Sequence, residues 1–163
     1  MTGADLPRYG TDHVASALAA HDRLFAGVAL RPGRPTTAAL VGGTPVCALP
    51  GKPVAAHAAA TLVLRPALAG SRRLPTVSAH CTARVTLPDD GFAYAVPVAL
   101  DDGRARPVGH ANADPSPSLY GERFRPGRVA SSTRATLADG VAVIRTAVDA
   151  GDRIRVVPWE VVE

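Results

Sequence analysis

The chain has 163 residues, of which 47% are hydrophobic, and a formal net charge of +4. That length supports one ordinary domain or two small ones with a genuine apolar core. No apolar run approaches the roughly 20 residues that cross a bilayer, and the first residues lack the charged-then-apolar order of a secretory signal. We therefore expect a soluble cytoplasmic protein without a membrane partner. Cys47 and Cys81 are too few for a disulfide framework or a metal knuckle, and we expect two small buried hydrophobic residues.

The positive charge is carried almost wholly by arginine, because Lys52 is the only lysine. The arginines are scattered along the chain, and the aromatic residues comprise one Trp, three Tyr and three Phe. A basic protein can bind nucleic acid, a membrane surface or a small polyanion. Scattered cations and few aromatic rings do not indicate an RNA stacking platform. The sequence therefore favours a small phosphorylated ligand and no nucleic-acid partner.

The first half mixes helix and strand patterns. Apolar spacing predicts a short helix over 11–21 with Thr11 or Asp12 as N-cap. The apolar run LFAGVAL at 24–30 predicts a buried strand of the kind found in parallel sheets. Strands at 37–41 and 45–50 surround two glycines, which predicts a tight hairpin.

An alanine-rich apolar segment follows the hairpin and predicts a buried helix over 54–70. Pro53 suits the first helical position, Gly70 suits the stop, and Pro66 is expected to kink or shorten the helix. This half offers about three strands and two helices, which is few for a doubly wound sheet. We therefore expect an incomplete α/β unit, whose unpaired strand edge would need covering by another chain.

The second half has the alternation of strands. The stretches 77–87 and 93–99 flank an Asp-Asp-Gly turn and predict a β-hairpin, and 101–104 predicts a further turn. Segments 129–146 and 152–162 predict more strands. We expect an all-β unit of about five strands, a small barrel or sandwich, which divides the chain into 1–72 and 73–163.

Two Pro-Gly-cation loops, RPGRP at 31–35 and LPGKP at 49–53, suit an anion. The second follows a strand and precedes a helix, whose first amides and Lys52 can face an anion. It is not a Walker A loop, which needs G-x-x-x-x-G-K-[ST]. Arg31 and Arg34 can fork onto phosphate or oxyanion oxygens. Ordinary type II turns with solvated charges remain the alternative.

The order of these motifs resembles a known family. GVALRPGRPT, a Gly-Gly hairpin, ALPGKPV and a helix ending RPAL resemble the molybdopterin-binding half of the MoeA family, the molybdopterin molybdenumtransferases, which includes a domain of gephyrin. Residues from PVGHANADPSPSLYGERFRPG to AGDRIRVVPWE resemble the last strands of the family's small C-terminal β-barrel. The resemblance implies the C-terminal portion of such an enzyme: an incomplete MoaB/MogA-like α/β unit followed by that barrel.

The resemblance also implies an activity, the insertion of molybdate into adenylylated molybdopterin with Mg²⁺ and release of AMP. It assigns Arg31 and Arg34, where the family has lysines, to the phosphates or molybdate. The remaining matched positions are the substrate-binding Pro50, Gly51, Lys52 and Pro53, with Lys52 in place of the usual Asn, and Asp12 as a catalytic and Mg²⁺-binding residue. For Asp12, a helix N-cap is an equally good interpretation.

Ser131 and Arg134 are further candidates for binding a phosphate across a cleft between the two units, with a solvated strand end as the alternative. Family members are much longer, so we expect a homo-oligomer or a second chain that supplies the missing N-terminal domains. A non-catalytic molybdopterin-binding or assembly module is the second hypothesis. A nucleic-acid binder, suggested by the charge alone, is the third.

Overall fold

The computed structural model describes the backbone of residues 2–4 and all of 12–110, 120 and 123–160. The predicted cap Thr11 and most of the Gly/Pro/Ser-rich stretch before Phe124 lie outside the described residues. Ten strands are described: β1 Thr2–Ala4, β2 Asp22–Ala26, β3 Leu30–Arg31, β4 Thr37–Val41, β5 Thr44–Pro50, β6 Val77–Cys81, β7 Ala93–Asp101, β8 Arg104–Pro107, β9 Gly140–Ile144 and β10 Arg153–Pro158.

The helical segments lie between these strands. They are α1 His13–Ala19, α2 Pro53–Ala59, a π-helical segment Ala60–Leu64, α3 Arg65–Leu68, α4 Pro126–Ala130 and a 3-10 helix Arg134–Leu137. None of the helices in the described part of the chain is long and apolar enough to span a membrane.

The first sheet has the strand order β1-β5-β4-β2. Its centre is the predicted hairpin, which is confirmed: Val41 pairs with Thr44, and Gly42 and Gly43 have φ values of 56° and 83°. Two consecutive positive φ values are what a two-residue hairpin turn requires, and glycine adopts them without a steric cost. Helix α1 packs on this sheet through Leu18.

The predicted buried strand at 24–30 is wrong. Gly27 has a φ of 84° and ends β2, so the run is divided between two sheets. β2 pairs antiparallel with β4 and is largely exposed, whereas β3 pairs parallel with β7. A continuous apolar run has no period, so the sequence does not reveal that its two ends lie in different sheets.

The predicted buried helix is confirmed, with Pro53 in its first turn and a glycine of positive φ, Gly70, after its end. Pro66 does not end it. The helical course continues through Leu68 and widens to π geometry just before the proline. A proline lacks an N–H and crowds the carbonyl four residues earlier, so a wider turn at this point removes the conflict.

The second sheet closes into a barrel. Its order is β7-β8-β6-β10-β9, and β9 pairs back onto β7, while β3 adds to the edge of β7. A five-stranded barrel was one of the two predicted architectures, and it is the one that forms. The turn at 101–104 is also confirmed, since Asp101 pairs with Arg104.

Two predictions in this half are wrong. β6 and β7 do not form a hairpin, because β6 pairs with β8 and β10. The stretch 129–137 is not a strand but carries the end of α4 and the 3-10 helix. Pro126 in the first turn of α4 favours helix, and the Ser132 hydroxyl accepts a hydrogen bond from the Ala135 amide, which supports the following turn.

Apolar clusters join the two halves of the chain. Val54 of α2 packs among the barrel residues, and Leu30 and Ala58 share a second cluster with Ala93 and Val141. Burial of this surface holds the helix and the barrel together. The division at residue 72 and the MoaB/MogA-like character of the first unit remain predictions.

Candidate anion-binding site

The RPGRP loop is held by a buried threonine. Thr36 is fully buried, and its hydroxyl donates to the carbonyl of Gly33 at 2.7 Å. The Thr36 carbonyl accepts from the Gly27 amide, and the Arg34 carbonyl accepts from the Val28 amide. These hydrogen bonds fix the backbone between the two arginines, so both side chains extend from a loop of fixed conformation.

Arg31 forms an ion pair with Asp90, a residue far away in sequence. Its Nη1 donates to Asp90 Oδ2 at 2.8 Å, and its guanidinium carbon lies 3.9 Å from the centroid of the Phe92 ring. Arg34 lies over the same ring at 5.7 Å and is exposed. A guanidinium has five N–H donors, so the ion pair leaves others for a second anion. The structure therefore brings Arg31 and Arg34 together around Phe92.

Tyr94 completes this cluster beneath the ion pair. Its hydroxyl oxygen lies 2.7 Å from both carboxylate oxygens of Asp90 and donates its proton to them. Burial raises the pKa of Tyr94 to about 12, with further contributions from the hydrogen bond to Asp90 and from the charge of that carboxylate. The same hydrogen bond, ahead of smaller effects from the Phe92 amide and Arg31, lowers the pKa of Asp90.

The raised pKa of Tyr94 predicts a loss of stability in alkali. An unfolded tyrosine titrates near pH 10, so above this pH the unfolded state loses the proton first and gains stability relative to the folded state. Between pH 8 and pH 11, we expect the titration of Tyr94 to lower the free energy of unfolding by about 1 to 1.5 kcal/mol. Urea unfolding followed by circular dichroism at both values measures this change.

Tyr94→Phe isolates this contribution from other groups that titrate in the same range, such as the buried Cys81, whose pKa is also raised by burial. The variant should be less stable than the parent at pH 8 and lose less stability on going to pH 11. An equal loss in both proteins would show that the pKa of Tyr94 is not raised in the folded protein.

The LPGKP loop lies where β5 ends and α2 begins. Pro50 is buried at the end of the strand, whereas Gly51 and Pro53 are exposed. Lys52 is the N-cap of α2 in extended conformation, and no side chain caps the first amides. The first turn also lacks an acidic residue. This helix start therefore retains the donors that its dipole would direct at an anion.

The α4 segment is packed against the start of α2. Val54 in the first turn of α2 shares an apolar cluster with Val129 of α4 and Ala135 of the 3-10 helix. Ser131 is the C-cap of α4 and Arg134 begins the 3-10 helix, and both are exposed. The structure thus places the segments of Ser131 and Arg134 beside the helix that follows Lys52. The neighbouring Ser132, not Ser131, makes the turn-supporting hydrogen bond.

Asp12 lies elsewhere, before α1, which packs on the first sheet. Its Oδ1 accepts a hydrogen bond from the Ala15 amide at 2.9 Å, which is the N-cap interaction that the sequence allowed. Within residues 12–110, 120 and 123–160, no group of three or more His, Cys, Asp or Glu residues could hold a metal ion. These residues do not fit a Mg²⁺ site by themselves.

Sequence reasoning missed Thr36, Asp90, Phe92 and Tyr94. Asp90 had a sufficient local explanation as a turn residue, and Tyr94 as part of a strand. The available signal was the odd placement of an aromatic pair directly after an Asp-Asp-Gly turn, since aromatic rings and acids are the usual neighbours of arginine. That signal identifies no partner, because Arg31 lies 59 residues away.

No protein-family model matches the chain, and no curated protein matches it. Solved structures do match in fold. The molybdopterin biosynthesis protein MoeA of Pyrococcus horikoshii has a TM-score of 0.69 and 24% identity over 98% of this chain and 36% of its own. MoeA from strain OT3 of that organism gives 0.59 and 20%, over 82% of this chain and 31% of its own.

A molybdenum cofactor biosynthesis protein from Pyrococcus furiosus gives a TM-score of 0.57 and 22% identity, over 83% of this chain and 45% of its own. At these identities the likeness establishes the fold. The chain therefore has the fold of one part of MoeA, which confirms the predicted resemblance. It spans 31 to 45% of the length of these solved proteins.

Proposed function

We propose that the chain acts in molybdenum cofactor biosynthesis, in the insertion of molybdate into adenylylated molybdopterin with release of AMP, as part of a larger or split enzyme. The observation that carries the proposal is the match in fold to MoeA over 98% of this chain. Because that match covers 36% of the MoeA chain, we propose that the protein acts as a homo-oligomer or with another chain that supplies the missing N-terminal domains.

The loops provide the chemistry that this reaction needs. Molybdate is a dianion and an adenylylated pterin carries a pyrophosphate, so the site must present fixed cations and backbone donors. Arg31 is held by Asp90 and Phe92 and keeps unused donors, while the exposed Arg34 lies beside it. Lys52 and the uncapped first turn of α2 provide a second cationic region, next to the segments of Ser131 and Arg134.

The reaction divides into roles for these groups. The cations bind the negative oxygens of the two substrates and hold them in one orientation. The entropy of bringing the substrates together is then lost on binding and no longer adds to the activation barrier. Donors around the departing phosphate oxygens stabilise the charge that develops as AMP leaves. No step is assigned to Mg²⁺, because the described residues do not form a site for it.

A non-catalytic molybdopterin-binding or assembly module is the second candidate. The short span of the match favours it, and so does the commitment of Arg31 to an internal ion pair. Such a module would bind the pterin or a partner chain without molybdate-dependent release of AMP.

Arg34→Gln tests the proposed site with little risk to folding, because Arg34 is exposed. We expect at least about a 10-fold loss of affinity for molybdate or molybdopterin, since a hydrogen bond to a charged group contributes about 1.5 to 3 kcal/mol. Isothermal titration of the full chain with each ligand measures the affinity. AMP release from adenylylated molybdopterin, with and without candidate partner chains, measures the reaction.

Arg23→Gln is the matched control, since Arg23 is an exposed arginine on β2. It should leave the affinity for both ligands unchanged. An equal loss of affinity in Arg34→Gln and Arg23→Gln would show that the effect is one of net charge. Binding without AMP release under every condition would support the non-catalytic module. If the parent chain bound neither ligand, alone or with partners, and bound no partner chain, both candidates would be overturned.

A further inference from the structure

The outward face of the barrel at β8, β6 and β10 is strongly cationic. The alternate residues Ala105, Ala79 and Ile154 are buried, so their neighbours along each strand face out. The residues that face out on these three strands are Ser78, His80, Arg104, Arg106, Arg153 and Arg155. Val77, at the start of β6, is also 38% exposed. The outward-facing set contains four arginines, one histidine and one serine, and no aliphatic side chain.

The pairing register places these cations next to each other. His80 is the Cα partner of Arg104 on one side and of Arg153 on the other. Arg155 is paired with Ser78, so it lies one step along β10 from this row. Arg106 lies one step along β8, toward the opposite end. With strands about 4.8 Å apart and about 6.8 Å between alternate residues, the set forms a diagonal track about 17 Å long.

Three exposed carboxylates, Asp101, Asp102 and Asp152, lie in the turns at the ends of these strands. Within the described ranges, Arg104, Arg153 and Arg155 form no ion pair. Asp101 is paired across the strands with Arg104 but makes no salt bridge with it. The His80 ring is oriented by a contact of 3.0 Å between Nδ1 and the Gly151 carbonyl. Exposed guanidinium groups in this density repel one another unless an anion lies over them.

We propose that this track binds the phosphate backbone of nucleic acid without sequence preference. Protein interfaces have an apolar core depleted in charge, and the outward-facing set offers no such core. Nucleic-acid interfaces, in contrast, are polar and positively charged. Arginine forks match phosphate geometry. None of these six positions holds Phe, Tyr or Trp, so the phosphate backbone is the contact that the set favours.

The sequence alone favours no nucleic-acid partner, because its arginines are scattered and its aromatic rings are few. The arginines are scattered along the chain, but β6 lies between β8 and β10 in the closed barrel, so arginines about 50 residues apart in sequence become neighbours. This proposal does not depend on the proposed function, because the track is formed by strands β6, β8 and β10 and includes none of the candidate substrate-binding residues.

The test is the fluorescence anisotropy of a labelled 20-base-pair duplex titrated with the full chain between 25 and 200 mM KCl, about the range over which phosphate contacts weaken. We expect binding at low salt with a log-log slope of about −3 to −4, near 0.9 per neutralised phosphate. The triple variant Arg104→Gln, Arg153→Gln, Arg155→Gln should bind at least about 10-fold more weakly at 50 mM, with the slope reduced by about 2 to 3.

The control triple variant, Arg23→Gln, Arg72→Gln, Arg73→Gln, removes the same charge from exposed positions elsewhere and should keep the parent slope. Unchanged thermal unfolding of both triples shows that the fold persists. Three outcomes overturn the proposal: no duplex binding at 25 mM KCl, an equal loss in the two triples, or tighter binding of a 20-residue polyglutamate than of the duplex. The last would indicate an acidic protein partner instead.

Discussion

Gly140→Ala should lower the free energy of unfolding by about 3 kcal/mol, the upper end of the usual cost of overpacking. A Cβ at Gly140 would lie 2.6 Å from the Val157 carbonyl oxygen and 2.8 Å from Val156 Cγ1. The first of these atoms belongs to the β10 backbone, which pairs with β9 at this position and cannot move without breaking the barrel ladder. For a chain of this size, we expect a midpoint of thermal unfolding roughly 6 to 12 °C lower.

Gly127→Ala is the matched control, because a Cβ at Gly127 would meet no atom within 4 Å. It lies in α4, where alanine is a better helix former than glycine, so its stability should stay the same or rise by up to about 1 kcal/mol. Differential scanning calorimetry of the three proteins compares them directly. Equal midpoints for Gly140→Ala and Gly127→Ala would show that β9 and β10 are not in this register.

The features predicted correctly are those that local chemistry decides. The Gly42-Gly43 hairpin needs two positive φ values, and the helix after Lys52 needs Pro53 in its first turn and a stop at Gly70. Each is determined by residues within a few positions of one another. The same holds for Asp12, whose role as a helix cap is a contact with an amide three residues away.

The features predicted wrongly are those that the barrel closure decides. A hairpin between β6 and β7 is the default for two alternating strands beside a turn. In the fold, β7 is covered on its two edges by β8 and β9, so β6 pairs with β8 and β10 instead. Alternation shows which side chains face inward but carries no information about the neighbouring strand.

The candidate site divides in the same way. The loops bearing Arg31, Arg34 and Lys52 were apparent from their Pro-Gly turns, but the ion pair with Asp90 depends on β3 joining the edge of β7. That pairing is parallel and long-range, and the sequence contains no local trace of it. Consequently the sequence identified the cations of the site and missed the groups that orient them.

Phe124→Ala should have the largest effect on stability, a loss of about 4 kcal/mol within the usual range for a buried phenylalanine. Phe124 is 1% exposed and meets Tyr94 and Tyr120 edge-on, with ring centroids 5.9 and 5.2 Å apart. Its backbone amide also donates to the Thr86 carbonyl, so the segment cannot easily slide to fill the cavity. Urea unfolding measures the loss, and Phe124→Leu should cost less than half as much.

The same substitution tests whether the core supports the candidate site. Phe124 lies two residues before α4, and it shares its cluster with Val54 at the start of α2 and with Tyr94, which holds Asp90 beside Arg31. Leu137→Ala provides the reference, because Leu137 is 82% exposed and its loss should change stability by no more than about 0.5 kcal/mol. If Phe124→Ala were as mild as Leu137→Ala, this ring would not fill the barrel. Phe124 would then not stabilise the packing of α4 against α2, which places Ser131 and Arg134 near Lys52.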